Sequence, residues 1–215
     1  MSTVTIFGAT GYAGGAITTE LLDRGHAVVA VARSTSTLTE RANLTVVSGS
    51  LHDPAVLAQA TKGADVILVA LPAGAIDGVQ LIDALPSLLT TAAEGGARLG
   101  IMGGAGSLQT SPDGPLLVDS PDFPASALDE ALRHKAILEA LRSSGTEVDW
   151  FYVSPAAGFG SWNPGNRTGR YRTGGDVLLS DSSGNSNISA ADLAIAFAEE
   201  VEHPAHHRER FHVAY

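Results

Sequence analysis

Three glycines, Gly8, Gly11 and Gly14, come after a short apolar stretch, Val4-Thr5-Ile6, and open a helical pattern. Strand, glycine turn and helix start, in that order, make a seat for a pyrophosphate. One glycine takes a positive φ at the turn, a second lets the backbone approach the phosphates, and a third lets helix and strand pack closely. The helix N-terminus adds unpaired N–H groups and the positive end of its dipole. Thr10, Tyr12 and Ala13 lie between these glycines and belong to the same expected site. The spacing is G-x-x-G-x-x-G, which departs from the G-x-G-x-x-G of the general dinucleotide fingerprint. The position after the first strand therefore carries the reading more than the triplet itself does.

The residues beyond the turn address the rest of a dinucleotide. Ala16 to Arg24 places Ile17, Leu21 and Leu22 at helical spacing, Gly25 suits a helix end, and Ala27-Val28-Val29-Ala30-Val31 is a buried strand. At the end of that strand, where an NAD-binding protein places Asp or Glu on the ribose hydroxyls, stands Ala32-Arg33-Ser34. A carboxylate there repels a 2′-phosphate, whereas the Arg33 fork hydrogen-bonds it and Ser34 or Thr35 adds a hydroxyl. This favours NADP(H) as cofactor; the alternative is an arginine that is simply solvated after a strand.

The elements that must position these residues alternate along the whole chain. Leu44 to Val47 reads as a strand, Pro54 to Thr61 as a helix, Asp65 to Ala70 as a strand, Ile82 to Glu94 as a helix and Arg98 to Met102 as a strand. This order implies an α/β fold, a Rossmann-like doubly wound parallel sheet. Open sheets of this kind bind ligands beyond the carboxyl ends of their strands. Leu71-Pro72-Ala73-Gly74, after the fourth strand, is then a wall beside the cofactor, and Gly103-Gly104-Ala105-Gly106-Ser107, after the fifth, a floor under the nicotinamide. Further on, residues 169–175 and 177–179 suggest a small hairpin, and Ser189 an N-cap for a helix from Ala190 to Val201, with Asp192 placed to complete a capping box. The expected organisation is one domain over residues 1–215, with residues 156–189 and the C-terminal tail adding a small substrate lobe. Ser111 to Pro124, rich in Pro, Gly and Asp, reads as a long loop, either a lid or a surface excursion.

Composition removes several functional classes. A net charge of −10 without any Lys/Arg block argues against nucleic acid or a membrane surface as partner. The 215 residues contain no cysteine, so disulfides, thiolate nucleophiles and cysteine metal sites are excluded. No apolar run has the length of a membrane helix or signal sequence, which leaves a cytoplasmic location as the expectation. His203, His206 and His207 have a helical spacing that mimics a metal site, but Pro204 disturbs the helix, and no metal is expected.

Taken together, Gly8-Ala9-Thr10-Gly11 through Gly14, Arg33, Ser48 to Asp53, Gly103 to Ser107, Asp149 to Pro155 and the tail from Thr168 to Tyr215 resemble an atypical short-chain dehydrogenase/reductase. The likeness is to the NAD(P)H-binding, NmrA-like group often labelled NADH-flavin reductases. Where that group usually carries Gly-Asp after the third strand, this chain has Gly49-Ser50, which leaves Leu51 to pack on the adenine. Members of the wider family use a Tyr-x-x-x-Lys pair whose lysine lowers the tyrosine pKa for proton transfer. Lys135 aligns with that lysine, yet Ala131 stands in place of the tyrosine. The resemblance puts Ser107 at the family's hydroxyl helper and offers His134 and Lys135 as substitutes, unless Ser107 only satisfies a turn and the other two face solvent.

A missing acid is compatible with hydride transfer to a strong planar acceptor, because solvent can supply the proton. Phe123, Phe159 and Trp162 are the aromatic residues expected to hold such an acceptor, while Tyr152 and Tyr171 serve packing at least as well. The expected function is an NADPH-dependent oxidoreductase acting on a flavin or quinone. The alternative is a non-catalytic NADP(H)-binding redox sensor that signals to a protein partner.

Overall fold

The computed structural model describes residues 1–76 and 78–215. Among them, eight strands form one sheet: β1 (Thr3–Phe7), β2 (Ala27–Ala32), β3 (Leu44–Ser48), β4 (Val66–Val69), β5 (Arg98–Met102), β6 (Trp150–Pro155), β7 (Arg172–Gly174) and β8 (Glu209–Ala214). Their order is β3-β2-β1-β4-β5-β6-β8-β7. All neighbours are parallel except β7, which runs antiparallel to β8. The chain turns from one half of the sheet to the other between β1 and β4, and the crevice above that reversal is where this fold takes ligands.

The helices are α1 (Tyr12–Asp23), α2 (Pro54–Thr61), α3 (Leu81–Gly95), α4 (Ala125–Ser143) and α5 (Ala190–Glu202). Strand β4 shows how they are placed. Its four residues, Val-Ile-Leu-Val, are all buried; Val66 and Leu68 join a core with α1 and α5, while Ile67 and Val69 join a second core with α2, α3 and α4. Alternation along the strand thus feeds both faces, as a sheet covered on two sides requires. Local signals set the helix ends. Asp53 accepts from Ala55 N at 2.9 Å ahead of Pro54, and Asp83 accepts from Gln80 N at 3.0 Å at the start of α3. Among the described residues no helix is long and apolar enough to cross a membrane.

Helix α1 starts at Tyr12 and takes Gly14 and Gly15 into its first turn. Three expectations change. The segment read as a hairpin does not fold on itself: Arg172–Gly174 adds to the open edge of β8, and Leu178 N donates to Gln109 O at 2.8 Å, where Val177 bridges Gln109. The capping box at α5 is only half made. Ser189 Oγ accepts from Asp192 N at 3.0 Å, but the Asp192 carboxylate accepts instead from Thr168 N, Gly169 N, and the hydroxyls of Thr168, Ser189 and Tyr215. Finally, Ser111 to Pro124 contains a single 3-10 turn, Leu117–Asp119, tied down by Leu117 N to Leu108 O at 2.7 Å and Val118 N to Gly106 O at 2.9 Å. Leu117 and Val118 are thus anchored, while Ser111, Pro112 and Asp113 lie exposed on the surface.

Candidate active site

The glycine turn divides its work by position. Gly8 has φ +89°, and a Cβ there would lie 2.3 Å from Ala70 O; a Cβ on Gly14 would lie 2.1 Å from Gly8 O. These two let the β1–α1 turn rest against the end of β4. Gly11 is the N-cap of α1 and offers no side chain to the first turn, so the helix amides are left to a ligand.

Two adjoining cavities open at this edge of the sheet. The first, of about 410 Å³, is lined by Gly8, Thr10 and Gly11, by Arg33 and Ser34 at the end of β2, by Gly49, Ser50 and Leu51, and by Leu71 and Pro72. The second, of about 900 Å³, is lined by Gly11, Tyr12, Ala13, Leu71, Pro72, Gly104, Phe123, His134, Phe159 and Trp162, together with Met102, Leu117, Asp122 and Glu130. Gly11, Leu71 and Pro72 belong to both, so an extended ligand can run from one to the other across the helix N-terminus. Gly14 lines neither; its part is packing.

The residues that fit a dinucleotide are therefore together: a glycine turn with close backbone approach, an uncapped helix end, and a guanidinium at the end of β2. When bound, a reduced nicotinamide dinucleotide supplies a hydride. The protein supplies its seat.

The expected catalytic trio separates. Ser107 does not line the second cavity. Its Oγ accepts from Arg210 Nη1 at 3.0 Å and its carbonyl from Arg210 Nη2 at 3.2 Å, and Arg210, buried on β8, in turn donates to Asp176. The buried guanidinium needs acceptors, and it draws the serine inward. Lys135 also falls outside, with Nζ 2.7 Å from Glu139 Oε1 on the outer face of α4.

His134 does line the cavity, and it is buried, not on an exposed helix surface. Its Nε2 lies 3.1 Å from Glu130 Oε1, one helical turn earlier, while Nδ1 is buried with no partner. Glu130 does more than orient the ring. Its carboxylate accepts from Ala73 N at 2.7 Å and Gly74 N at 3.1 Å, which ties the wall after β4 to α4. Burial pushes the Glu130 carboxyl up, but the hydrogen bonds from His134 and from the Ala73 and Gly74 amides outweigh it and hold the group below the usual carboxylate range. The core residue Tyr152 supports the same helix from below, its hydroxyl donating to His134 O at 2.9 Å.

The aromatic residues form the mouth. Tyr12 and Phe159 have ring centroids 5.3 Å apart, and the Tyr12 hydroxyl donates to Pro164 O at 3.3 Å. Trp162 is 74% exposed at the tip of a tight turn closed by Asn163 N to Gly160 O at 2.9 Å and braced by Asn163 Nδ2 to Gly158 O at 2.8 Å. Two of the terminal histidines are occupied elsewhere: His206 hydrogen-bonds Glu200 and stacks on Phe211, and His207 hydrogen-bonds Asp149.

Sequence reasoning missed Glu130, Asp122 and Leu117 as lining residues. For Glu130 the signal was present, a Glu and a His at i and i+4 on one helix; for the other two nothing local distinguishes a wall from a loop.

The fold and the trough above its switch point define a dinucleotide-binding Rossmann protein. The family described as NAD(P)H-binding matches residues 8–204, and the chain belongs to it. It is 36% identical over 214 residues to YwnB of Bacillus subtilis, covering 97% of this chain and 96% of that one. Among solved structures, a Bacteroides thetaiotaomicron protein provisionally named an epimerase is 33% identical with TM-score 0.88, covering 100% of this chain and 97% of that one. A Streptococcus pneumoniae protein provisionally named an NADH-flavin reductase is 28% identical with TM-score 0.81, covering 100% and 99%. The resemblance to atypical short-chain dehydrogenase/reductases agrees with these neighbours.

Proposed function

We propose that this protein is an NADPH-dependent oxidoreductase that passes hydride to a small planar acceptor, a flavin or a quinone. The observation that carries the reading is the pair of cavities joined at Gly11, Leu71 and Pro72. The first holds the adenosine end, with the Arg33 guanidinium and Ser34 hydroxyl on the 2′-phosphate and Leu51 against the base. The α1 N-terminus holds the pyrophosphate. The second cavity, mainly apolar and rimmed by Tyr12, Phe123, Phe159 and Trp162, has room for the nicotinamide ring and a second flat ring beside it.

Each residue then has a defined task. Leu71 and Pro72, held through Ala73 and Gly74 by Glu130, fix the cofactor from one side; Gly104, without a side chain, leaves the floor open; the aromatic mouth aligns the acceptor and leaves it within reach of water. His134, its Nε2 engaged with Glu130 and its Nδ1 buried, stands beside the Gly104 floor as part of the cavity wall, and water can deliver the proton. The name of the Streptococcus pneumoniae relative supports a flavin among the acceptors.

A second reading has its own observation. Ala131 replaces the family tyrosine and Lys135 is paired with Glu139 away from the cavity, which suits a protein that binds NADP(H) and reports its redox state to a partner. The test is nicotinamide absorbance after mixing purified protein and NADPH with flavin mononucleotide, riboflavin or simple quinones, with NADPH binding recorded in parallel. Saturable loss of absorbance with an acceptor supports the reductase; tight, unequal binding of NADPH and NADP⁺ without turnover supports the sensor.

A further inference from the structure

We infer that the second cavity selects acceptors carrying no negative charge on or next to the reacting ring, so that the substrate class is a neutral planar quinone or bare flavin ring. The inference rests on the reductase reading above. Among the described lining residues the full charges are Asp122 and Glu130, and neither lysine nor arginine is present. The cations nearest in sequence are spent elsewhere: Arg98 on Asp149 and Glu200, Arg133 on Asp129, Lys135 on Glu139, Arg142 on Asp176 and Arg167 on Glu20. His134 is itself engaged with Glu130.

One positive feature opposes this. Helix α4 begins in the cavity wall, its N-cap Pro124 makes no side-chain cap, and its first turn carries no acidic residue. A helix N-terminus is worth about half a charge, and Asp122, two residues before the cap, is a full charge of the other sign placed to offset it. The α1 N-terminus is taken by the dinucleotide, whose phosphates bring further negative charge to the trough. A ring sulfonate, carboxylate or phosphate would thus leave water for an apolar wall of Met102, Leu117, Phe123 and Phe159, with like charges beside it and no cation to pair with. A neutral quinone meets no such cost. It accepts one hydride from the reduced nicotinamide and one proton from water, giving the hydroquinone and NADP⁺, and this balance needs no fixed anion site.

The experiment compares menadione with its ring sulfonate at low ionic strength, for the wild type and for Asp122→Lys. The expected result is a kcat/KM for menadione at least about tenfold above that for the sulfonate, shrinking with added salt, and a ratio that narrows about tenfold in Asp122→Lys. A wild-type preference for the sulfonate, or a ratio indifferent to Asp122→Lys, overturns the inference. Absence of turnover with both sinks the reductase reading instead. Binding then decides, measured by quenching of tryptophan fluorescence in the presence of NADP⁺ with Trp162→Phe as control: tighter binding of menadione upholds the charge selection, and equal, reversed or absent binding overturns it.

Discussion

Glu130 Oε1 lies 3.1 Å from His134 Nε2, and the same carboxylate receives the amides of Ala73 and Gly74. One side chain therefore sets both the ring over the floor and the wall shared by the two cavities. Glu130→Gln keeps the size but loses the charge, and its amide nitrogen cannot accept. The expected outcome is a fall in kcat/KM of about tenfold or more, corresponding to about 1.5–3 kcal/mol for charge-assisted hydrogen bonds. Steady-state kinetics with a neutral quinone checks this; unchanged kinetics would remove Glu130 from the site's working parts.

The same contacts fix a pH dependence. Hydrogen bonding depresses the Glu130 carboxyl from its ordinary value of 4.5. A depressed carboxyl is ionised throughout the neutral range, so its contribution is complete above that ordinary value and is lost only as the pH falls through the lower folded one. The wall should stay clamped through mildly acidic pH. NADPH affinity measured by titration calorimetry is expected to be flat from neutral pH down to about pH 5 as far as this group is concerned; a loss centred near neutrality would point to another residue.

Arg33 tests the cofactor assignment by itself. Arg33→Ala should weaken NADPH binding by about 1.5–3 kcal/mol and leave NADH nearly unchanged, since only the former carries the phosphate that the guanidinium meets. Equal losses for both dinucleotides would sink the 2′-phosphate contact.

Ser107 separates the geometry from the family pattern. Its hydroxyl serves buried Arg210 and not the cavity. Ser107→Ala should therefore leave kcat within about twofold while lowering stability by about 1 kcal/mol, the cost of an acceptor withdrawn from a buried donor. Denaturant unfolding and steady-state rates together decide it; a large loss of kcat in a stable variant would return Ser107 to catalysis.

Gly8 combines a φ of +89° with Ala70 O at 2.3 Å from any Cβ. Gly8→Ala is expected to cost about 2–4 kcal/mol, from the left-handed backbone and from overpacking against rigid main chain. A lowered unfolding midpoint with impaired NADPH binding is the outcome to look for.

Much of this could be read from the sequence because the information was local. Strands β2 and β5 and helix α2 announce themselves as apolar runs or capped periodic segments, and Gly8, Gly11 and Arg33 follow from their place at strand ends. What was hidden depended on distant partners. Strands β7 and β8 carry Arg172, Glu209, Arg210 and His212, and they form on distant partners: β8 pairs with β6 over five residues, and β7 then adds to the edge of β8. Ser107 looks like a site residue until Arg210, far along the chain, claims it. His134 sits beside Arg133 and Lys135, whose charges mark a solvated face, yet the helix turns the histidine alone of the three into the cavity. Sequence spacing supplies the helix; only packing selects the face.

Every role proposed for the second cavity turns on hydride transfer from NADPH to a planar acceptor held there. The decisive experiment is menadione reduction with NADPH deuterated at the transferring carbon on one face or on the other. Saturable oxidation is expected, with one label alone transferred and slowing the reaction, as a nicotinamide fixed between the Pro72 wall and the Gly104 floor demands. Tight NADPH binding with no oxidation, or oxidation slowed equally by both labels, would contradict hydride transfer at this site.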